Sequence, residues 1–326
     1  MSSHLLTLTI ITPAFNEEKN LPILFEKISK VLETQNEVWE WIVIDDHSSD
    51  RTPEVLLNLS KTHHNIRIFR LSRNFGSHMA LLCGLENALG KCALLMAADL
   101  QDPPEVIPDL LLKWRSGSQV VWATRANRIG QKKISLFTSN LYWGTLRRLA
   151  GLNSVPPKGA DFFLIDRKVI DALSKFQERN LSLYPLLIWM GFRQGEVSYS
   201  KQARLHGISG WTLKKKIKLF VDSLIAFSPF PIRLLSFFGF CVALVGFCYA
   251  LVIIAHFLGG ERPQGWASLM VVLLVLGGGQ MLMFGVVGEY LWRTLEEGRE
   301  RPRYLVEYSS EKEFLQKSEL KLLQNN

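Results

Sequence analysis

"LLMAADLQDPPE", residues 94–105, decides how this chain is read. An apolar run of the kind that forms a buried strand stops at Asp99, and a second aspartate, Asp102, stands before two prolines. A strand that ends in acid at a turn can hold a hard divalent cation, which takes oxygen ligands, against a phosphate. Position 97 lies two residues back on the same face of an extended chain. It is Ala97, so the stretch offers one carboxylate where such sites usually recruit more.

Working outward, the run Ala93–Ala98 is one of five short apolar stretches, with Leu8–Thr12, Trp41–Ile44, Ile66–Leu71 and Val120–Thr124. Between the first two lies "NEEKNLPILFEKISKVLE", whose Leu21, Leu24, Phe25, Ile28, Val31 and Leu32 recur at helical spacing. Before the run at Ala93 lies "GSHMALLCGLENALG", again helical and closed by Gly90. Strand and helix alternating at this spacing predict an α/β domain with a parallel sheet covered on both faces. Ligands of such sheets bind beyond the carboxyl ends of the strands. Those ends read "TPAFNEE", "DDHSSD", "SRNFG" and "ADLQD", a rim rich in carboxylates. Neither G-x-G-x-x-G nor G-x-x-x-x-G-K-[ST] occurs, so no glycine-rich loop cradles a phosphate. A carboxylate rim binds a diphosphate through a divalent metal, because the like charges otherwise repel. The pattern therefore points to a nucleoside diphosphate with a departing group to be stabilised.

The last third has a different composition. Residues 234–258 and 267–288 carry no Asp, Glu, Lys or Arg, and each exceeds the roughly 20 apolar residues that cross a bilayer. They predict a transmembrane hairpin. Lys214, Lys215, Lys216, Lys218 and Arg233 precede it, Arg293, Arg299, Arg301 and Arg303 follow it, and Arg262 alone lies between. The excess of cations outside the hairpin loop places the N-terminal domain and the tail in the cytoplasm of a multi-pass membrane protein. The expected units are a catalytic domain over 1–211, an interfacial amphipathic helix over 212–233, two spans over 234–292 and a charged cytoplasmic tail over 293–326. Residues 134–150 form a second candidate interfacial helix, or an ordinary amphipathic core helix. Cys83, Cys92, Cys241 and Cys248 lack metal-ligand spacing and read as small core residues of a reducing compartment. The net charge of +8, from 38 basic and 30 acidic residues, suits an anionic membrane surface or a phosphorylated ligand. No nucleic-acid reading motif is present. The small residues of the spans suggest a homo-oligomer.

"TIITPAFNEEKNL", "VIDDHSSDRT", "LSRNFGSHMALLCGLENALG", "ADLQDPPEVIPDLL" and "ADFFLIDRKVIDAL" together resemble the family 2 glycosyltransferases that load a sugar onto a polyprenyl phosphate. The nearest subgroup by architecture is the bactoprenol (undecaprenyl-phosphate) glucosyltransferases, with dolichol-phosphate mannose synthase a cousin. The resemblance covers about residues 5–235 and extends to the spans. It implies a GT-A, Rossmann-like fold, a UDP-sugar donor, a divalent cation (Mg²⁺ or Mn²⁺), an undecaprenyl or other polyprenyl phosphate acceptor, and non-processive transfer with inversion. On that resemblance Pro13, Phe15, Asn16 and Glu17 match the loop that holds the nucleoside. Asp45 and Asp46 match base and ribose contacts, Asp99 and Gln101 metal and diphosphate contacts, and Asp161 an acid near the acceptor. The sequence departs from the family at three places. Asp-Ala-Asp is Ala97-Ala98-Asp99. Gly-Asp-Phe-Arg is Ala160-Asp161-Phe162-Phe163. The later Arg-x-x-Arg-x-x-Gly-x-Ser-Lys begins at Lys201 and ends at Gly210.

A lipid phosphate is largely dianionic at neutral pH, its second pKa being about 6. It is already a nucleophile, so Asp161 reads as a positioning or electrostatic group, with general base as the alternative. Cations for the acceptor phosphate are Arg125, Arg128, Lys132, Lys133, Lys201 and Arg204. Arg128 and Arg204 are favoured because the guanidinium fork binds two oxygens. Glucose is favoured as the sugar by subgroup; mannose, galactose and an aminosugar stay open. A polymerising synthase would carry Gln-x-x-Arg-Trp and more spans, and neither is found. A weakened, non-catalytic membrane scaffold remains the reading that Ala97 motivates.

Overall fold

A computed structural model describes residues 6–35, 37–126, 160–176, 183–202, 230–259 and 265–310, with the single positions 144, 178, 225 and 228. Its centre is an eight-stranded sheet. The strands are β1 (Leu8–Ala14), β2 (Trp39–Asp45), β3 (Ile66–Leu71), β4 (Cys92–Leu95), β5 (Val120–Arg125), β6 (Ala160–Asp166), β7 (Gln194–Tyr199) and β8 (Val306–Ser309). In space they run β7-β5-β6-β4-β1-β2-β3-β8.

Alternation along each strand explains why the runs are apolar throughout. Ile10, Trp41, Val43 and Leu94 face one layer, with α1 (Asn20–Glu33), Leu56 of α2 (Thr52–Thr62) and α4 (Ile107–Arg115). Ile11, Ile42, Ile44 and Leu95 face the other, with α3 (Ser77–Glu86), α5 (Arg167–Leu173) and α6 (Leu183–Trp189). A strand buried on both faces needs no polar alternation. The fit over α3 is close: a Cβ on Gly84 would stand 2.3 Å from Ile11 Cγ2 and 2.8 Å from Ile44 Cδ1. At the amino-terminal end of the sheet, Arg67 Nη1 meets Glu40 Oε2 at 3.1 Å, both side chains 1% exposed. Thr9 Oγ1 and the Leu89 N–H also donate to Glu40, at 2.6 and 2.9 Å. Cys83 and Cys92 are buried as expected, whereas Cys241 is only partly buried and Cys248 is exposed on the apolar surface of the helix that carries them; burial pushes the Cys83 thiol up to about 12.

The sheet is mixed rather than parallel. Six strands share one direction; β6 runs antiparallel to β4 and β5, and β8 antiparallel to β3. Running against its neighbours, β6 starts where β4 and β5 end, so its first residues lie at the rim. β8 comes from the charged tail and closes the β3 edge, which would otherwise expose unpaired backbone groups.

Two long helices follow, α7 (Phe230–Leu258) and α8 (Trp266–Gly298). They contain the two segments expected to span. The 29 residues of α7 extend about 44 Å at the helical rise. Among the described residues one window, Ile232–Tyr249, is long and apolar enough to cross a membrane, with mean hydropathy 1.9 and none of it buried. That observation carries one span rather than the expected pair. The interfacial helices expected at 134–150 and 212–233 lie outside the described residues, apart from positions 144, 225 and 228 and residues 230–233, which open α7.

Candidate active site

The carboxyl ends of β1, β2 and β4 are followed by three residues in left-handed backbone conformation, Asn16 (φ 59°), His47 (φ 62°) and Leu100 (φ 58°). Such conformations are strained for side chains other than glycine and gather where the surroundings over-determine the backbone. Here all three sit on the rim that the sequence marks.

The first two rim loops hold each other. Asn16 Oδ1 accepts from the Ser49 N–H at 2.8 Å, and the Asn16 N–H donates to Ser48 Oγ at 2.9 Å. The Glu17 N–H donates to Thr52 Oγ1 at 2.9 Å, and Glu17 Oε2 accepts from Asn20 Nδ2 at 2.6 Å, at the start of α1. Pro13 closes the apolar part of β1, and Phe15 leaves a ring 47% exposed on the rim.

Asp45 and Asp46 end β2 nearly sealed from solvent, 1% and 3% exposed. Asp45 Oδ1 accepts from the Ser48 N–H at 2.8 Å, and Oδ2 from Arg70 Nη1 at 2.5 Å. Asp46 accepts the N–H groups of Phe75 and Gly76 at 2.7 and 2.8 Å, which fixes the loop leading into α3. Burial raises the Asp46 carboxyl above its ordinary value; the two N–H donors oppose this, and Asp45 beside it adds to the rise. Each carboxylate has about four lone-pair sites, so these protein donors leave room for ligand donors.

On the β4 loop the Gln101 N–H donates to Asp99 Oδ1 at 3.2 Å. The Gln101 carbonyl accepts from the Gln202 N–H at 3.0 Å. Asp102, 4% exposed, accepts from Tyr199 Oη at 2.6 Å and lies 3.4 Å from Lys201 Nζ. Lys201, read from sequence as an acceptor cation, thus stands against Asp102 and ties the end of β7 to the Asp99 loop. Neither Asp102 nor Tyr199 was picked as a functional residue from sequence. Asp102 stood in the motif without a role, and its partner is 97 positions away.

Arg125 ends β5 in register with Tyr199. Asp161 is the second residue of β6, at an irregularity of register where Ala123 pairs with Phe162 and Thr124 with Ala160. A bulge of this kind lets one strand carry an extra residue and recurs beside active sites. Arg128, Lys132, Lys133 and Arg204 lie outside the described residues. The rest of the expected set falls at one edge of the sheet.

Among the described residues no three His, Cys, Asp or Glu side chains gather as a metal cluster. Asp99 and Gln101 offer a carboxylate and a carboxamide on one turn. That donor set fits Mg²⁺ or Mn²⁺ held jointly with a diphosphate, since Mg²⁺ typically takes one or two carboxylates, several waters and substrate phosphates.

Residues 9–174 match the family described as Glycosyl transferase family 2. A bactoprenol glucosyl transferase of Shigella phage SfV is 32% identical over 306 residues, 94% of this chain and 99% of that protein. An uncharacterized glycosyltransferase of Synechocystis is 38% identical over 301 residues, 92% of this chain and 94% of its own. Glucosyl-3-phosphoglycerate synthase from Mycobacterium tuberculosis, solved with Mn²⁺, UDP-glucose and phosphoglyceric acid, shares the fold. It has a TM-score of 0.50 and 17% identity, and the match covers 68% of this chain and 79% of that one.

Proposed function

The chain belongs to glycosyl transferase family 2, and from that premise we propose that it transfers glucose from UDP-glucose to undecaprenyl or another polyprenyl phosphate. What supports the reading is the rim: Asp45 and Asp46 stand at the end of β2, Asp99 follows β4 and Asp161 lies near the start of β6, all at the end of the sheet where the six aligned strands stop. The near full-length likeness to a bactoprenol glucosyl transferase supports the acceptor class.

Phe15 and Asp45 hold the nucleoside, the ring offering a flat apolar face and the carboxylate accepting a base or ribose donor. Asp99 and Gln101 hold the divalent cation, which when bound supplies positive charge beside the departing diphosphate. The lipid phosphate oxygen forms the new bond to the anomeric carbon on the face opposite the bond that breaks, and UDP leaves with that electron pair, giving inversion. The nucleophile needs no strong base, so Asp161 positions the acceptor. The remaining task of the chain is alignment, through Arg125, Arg128, Lys133, Lys201 and Arg204 on the acceptor phosphate. Helices α7 and α8 form a membrane hairpin, with the domain and tail on the cytoplasmic side and chains associated through the spans.

Purified chain incubated with undecaprenyl phosphate and labelled UDP-glucose, UDP-galactose, UDP-N-acetylglucosamine or GDP-mannose tests this. Label in the lipid fraction from UDP-glucose supports the proposal. Label only from another donor replaces the sugar, and no label from any donor overturns the enzyme reading in favour of a scaffold.

A further inference from the structure

The tail does more than close an edge. α8 ends at Gly298, and within eight residues the chain is tied to α3 and to the β3 edge of the sheet. Arg303 donates to the Phe176 carbonyl at 2.9 Å and pairs with Glu86, to which Tyr304 also donates. The Ser72 N–H donates to the Leu305 carbonyl at 2.9 Å, and the Ser310 N–H to the Ile68 carbonyl at 3.0 Å. Ser310 Oγ accepts from the Ile68 N–H at 2.8 Å.

This pairing sets Glu307 and Tyr308 over the carboxyl end of β3. Glu307 Oε2 lies 3.1 Å from Arg70 Nε and 3.7 Å from His47 Nδ1. Arg70 in turn donates to Asp45 Oδ2 and reaches the Ser48 carbonyl at 3.4 Å. Tyr308 lines a small cavity with Asp45, Pro53, Leu56 and Arg70. A planar guanidinium held on two edges has little freedom left, so the carboxylate on its outer edge determines where its inner edge meets Asp45.

We propose that Glu307 on the tail strand is a positioning residue for donor binding, acting through Arg70 on Asp45. The inference rests on the reading of Asp45 as a nucleoside contact. It makes the segment that leaves α8 part of the donor site, although it touches no substrate. Glu307 is half exposed, so loss of the pair alone has a modest effect, while a cation in its place repels the Arg70 guanidinium directly.

The test uses the full chain in lipid nanodiscs, with UDP affinity by calorimetry and separate steady-state constants for donor and acceptor. Glu307→Lys is expected to weaken UDP binding and raise the donor KM roughly fivefold, and Glu307→Gln roughly twofold. In both, kcat and the acceptor KM stay within about twofold of the parent, and Glu307→Asp restores donor affinity. Unchanged donor affinity in Glu307→Lys overturns the proposal, as does an equal loss in kcat and acceptor KM, which marks general damage. Should Glu307→Lys fail to fold, Glu307→Gln carries the same comparison. If the parent binds no UDP, the donor reading itself fails and the inference falls with it; parent binding with indifferent variants removes the inference alone.

Discussion

Removing the Asp102 carboxylate should loosen the loop that presents Asp99. Asp102 is buried, accepts from Tyr199 Oη at 2.6 Å and faces Lys201 Nζ at 3.4 Å. A hydrogen bond to a charged group contributes about 1.5–3 kcal/mol. The Lys201 pair adds about 0–1, since that side chain keeps 20% of its surface in water. Asp102→Ala should therefore cost about 1.5–4 kcal/mol. For a domain of about 150–250 residues that is a fall of roughly 3–16 °C in Tm. Asp102→Asn keeps an acceptor for the tyrosine and should lose about half as much. Tyr199→Phe should cost about 1.5–3 kcal/mol, and combining it with Asp102→Ala should add little, because both remove the same bond. Thermal unfolding of the four proteins, with sugar-transfer rates at saturating substrates, measures the effect. An Asp102→Ala protein with parental Tm and rate, or full additivity in the double variant, refutes the reasoning.

Arg67→Ala leaves the Glu40 charge without its cation in the core, and should cost about 3–5 kcal/mol in thermal unfolding; Arg67→Met with Glu40→Leu should recover only part of that loss, because Thr9 Oγ1 and the Leu89 N–H then lose their acceptor. Gly84→Ala forces a methyl into Ile11 and should lower stability by about 1–3 kcal/mol without changing donor KM in the folded fraction. Burial raises Asp46 above 3.8, so in the window between that value and the raised one the native state holds more of this proton than the unfolded chain does. The contribution of this group to stability then falls as pH rises. Asp46→Asn should be relatively more stable at pH 6 than at pH 4, and a Tm difference from the parent that stays constant over that range contradicts the assignment.

The core of the fold is legible because each buried strand declares itself locally: Leu8–Ala14, Trp39–Asp45 and Ile66–Leu71 are predominantly apolar, β-branched and aromatic runs bounded by polar loops. Strand direction is not. An apolar run such as Phe162–Ile165 looks the same whichever way it lies; β6 was not among the five expected strands, and its antiparallel course makes the expected parallel sheet a mixed one. β8 is hidden for another reason. "VEYS" is four residues in a charged tail, and it becomes a strand only because β3, some 240 positions earlier, offers an unpaired edge. The rim acids stand out because several carboxylates follow strands in one sequence. Their partners do not. Arg70 lies inside an apolar strand, and Tyr199 and Lys201 lie in a stretch without a motif. Asn16 shows what a motif leaves unsaid about geometry. It was expected to serve the nucleoside loop, and its side-chain oxygen accepts from the backbone of residues 49 and 50, shaping the rim.

The most direct measurement is transfer of labelled glucose from UDP-glucose to undecaprenyl phosphate by the parent chain and by Asp99→Asn, each with Mg²⁺, with Mn²⁺ and with EDTA. A rim that works with a single carboxylate at position 99 predicts cation-dependent labelling of the lipid by the parent. It predicts a fall on the order of a hundredfold or more in the variant, as is typical when a group stabilising transition-state charge is lost. No labelling by the parent, or labelling that survives both EDTA and Asp99→Asn, contradicts it.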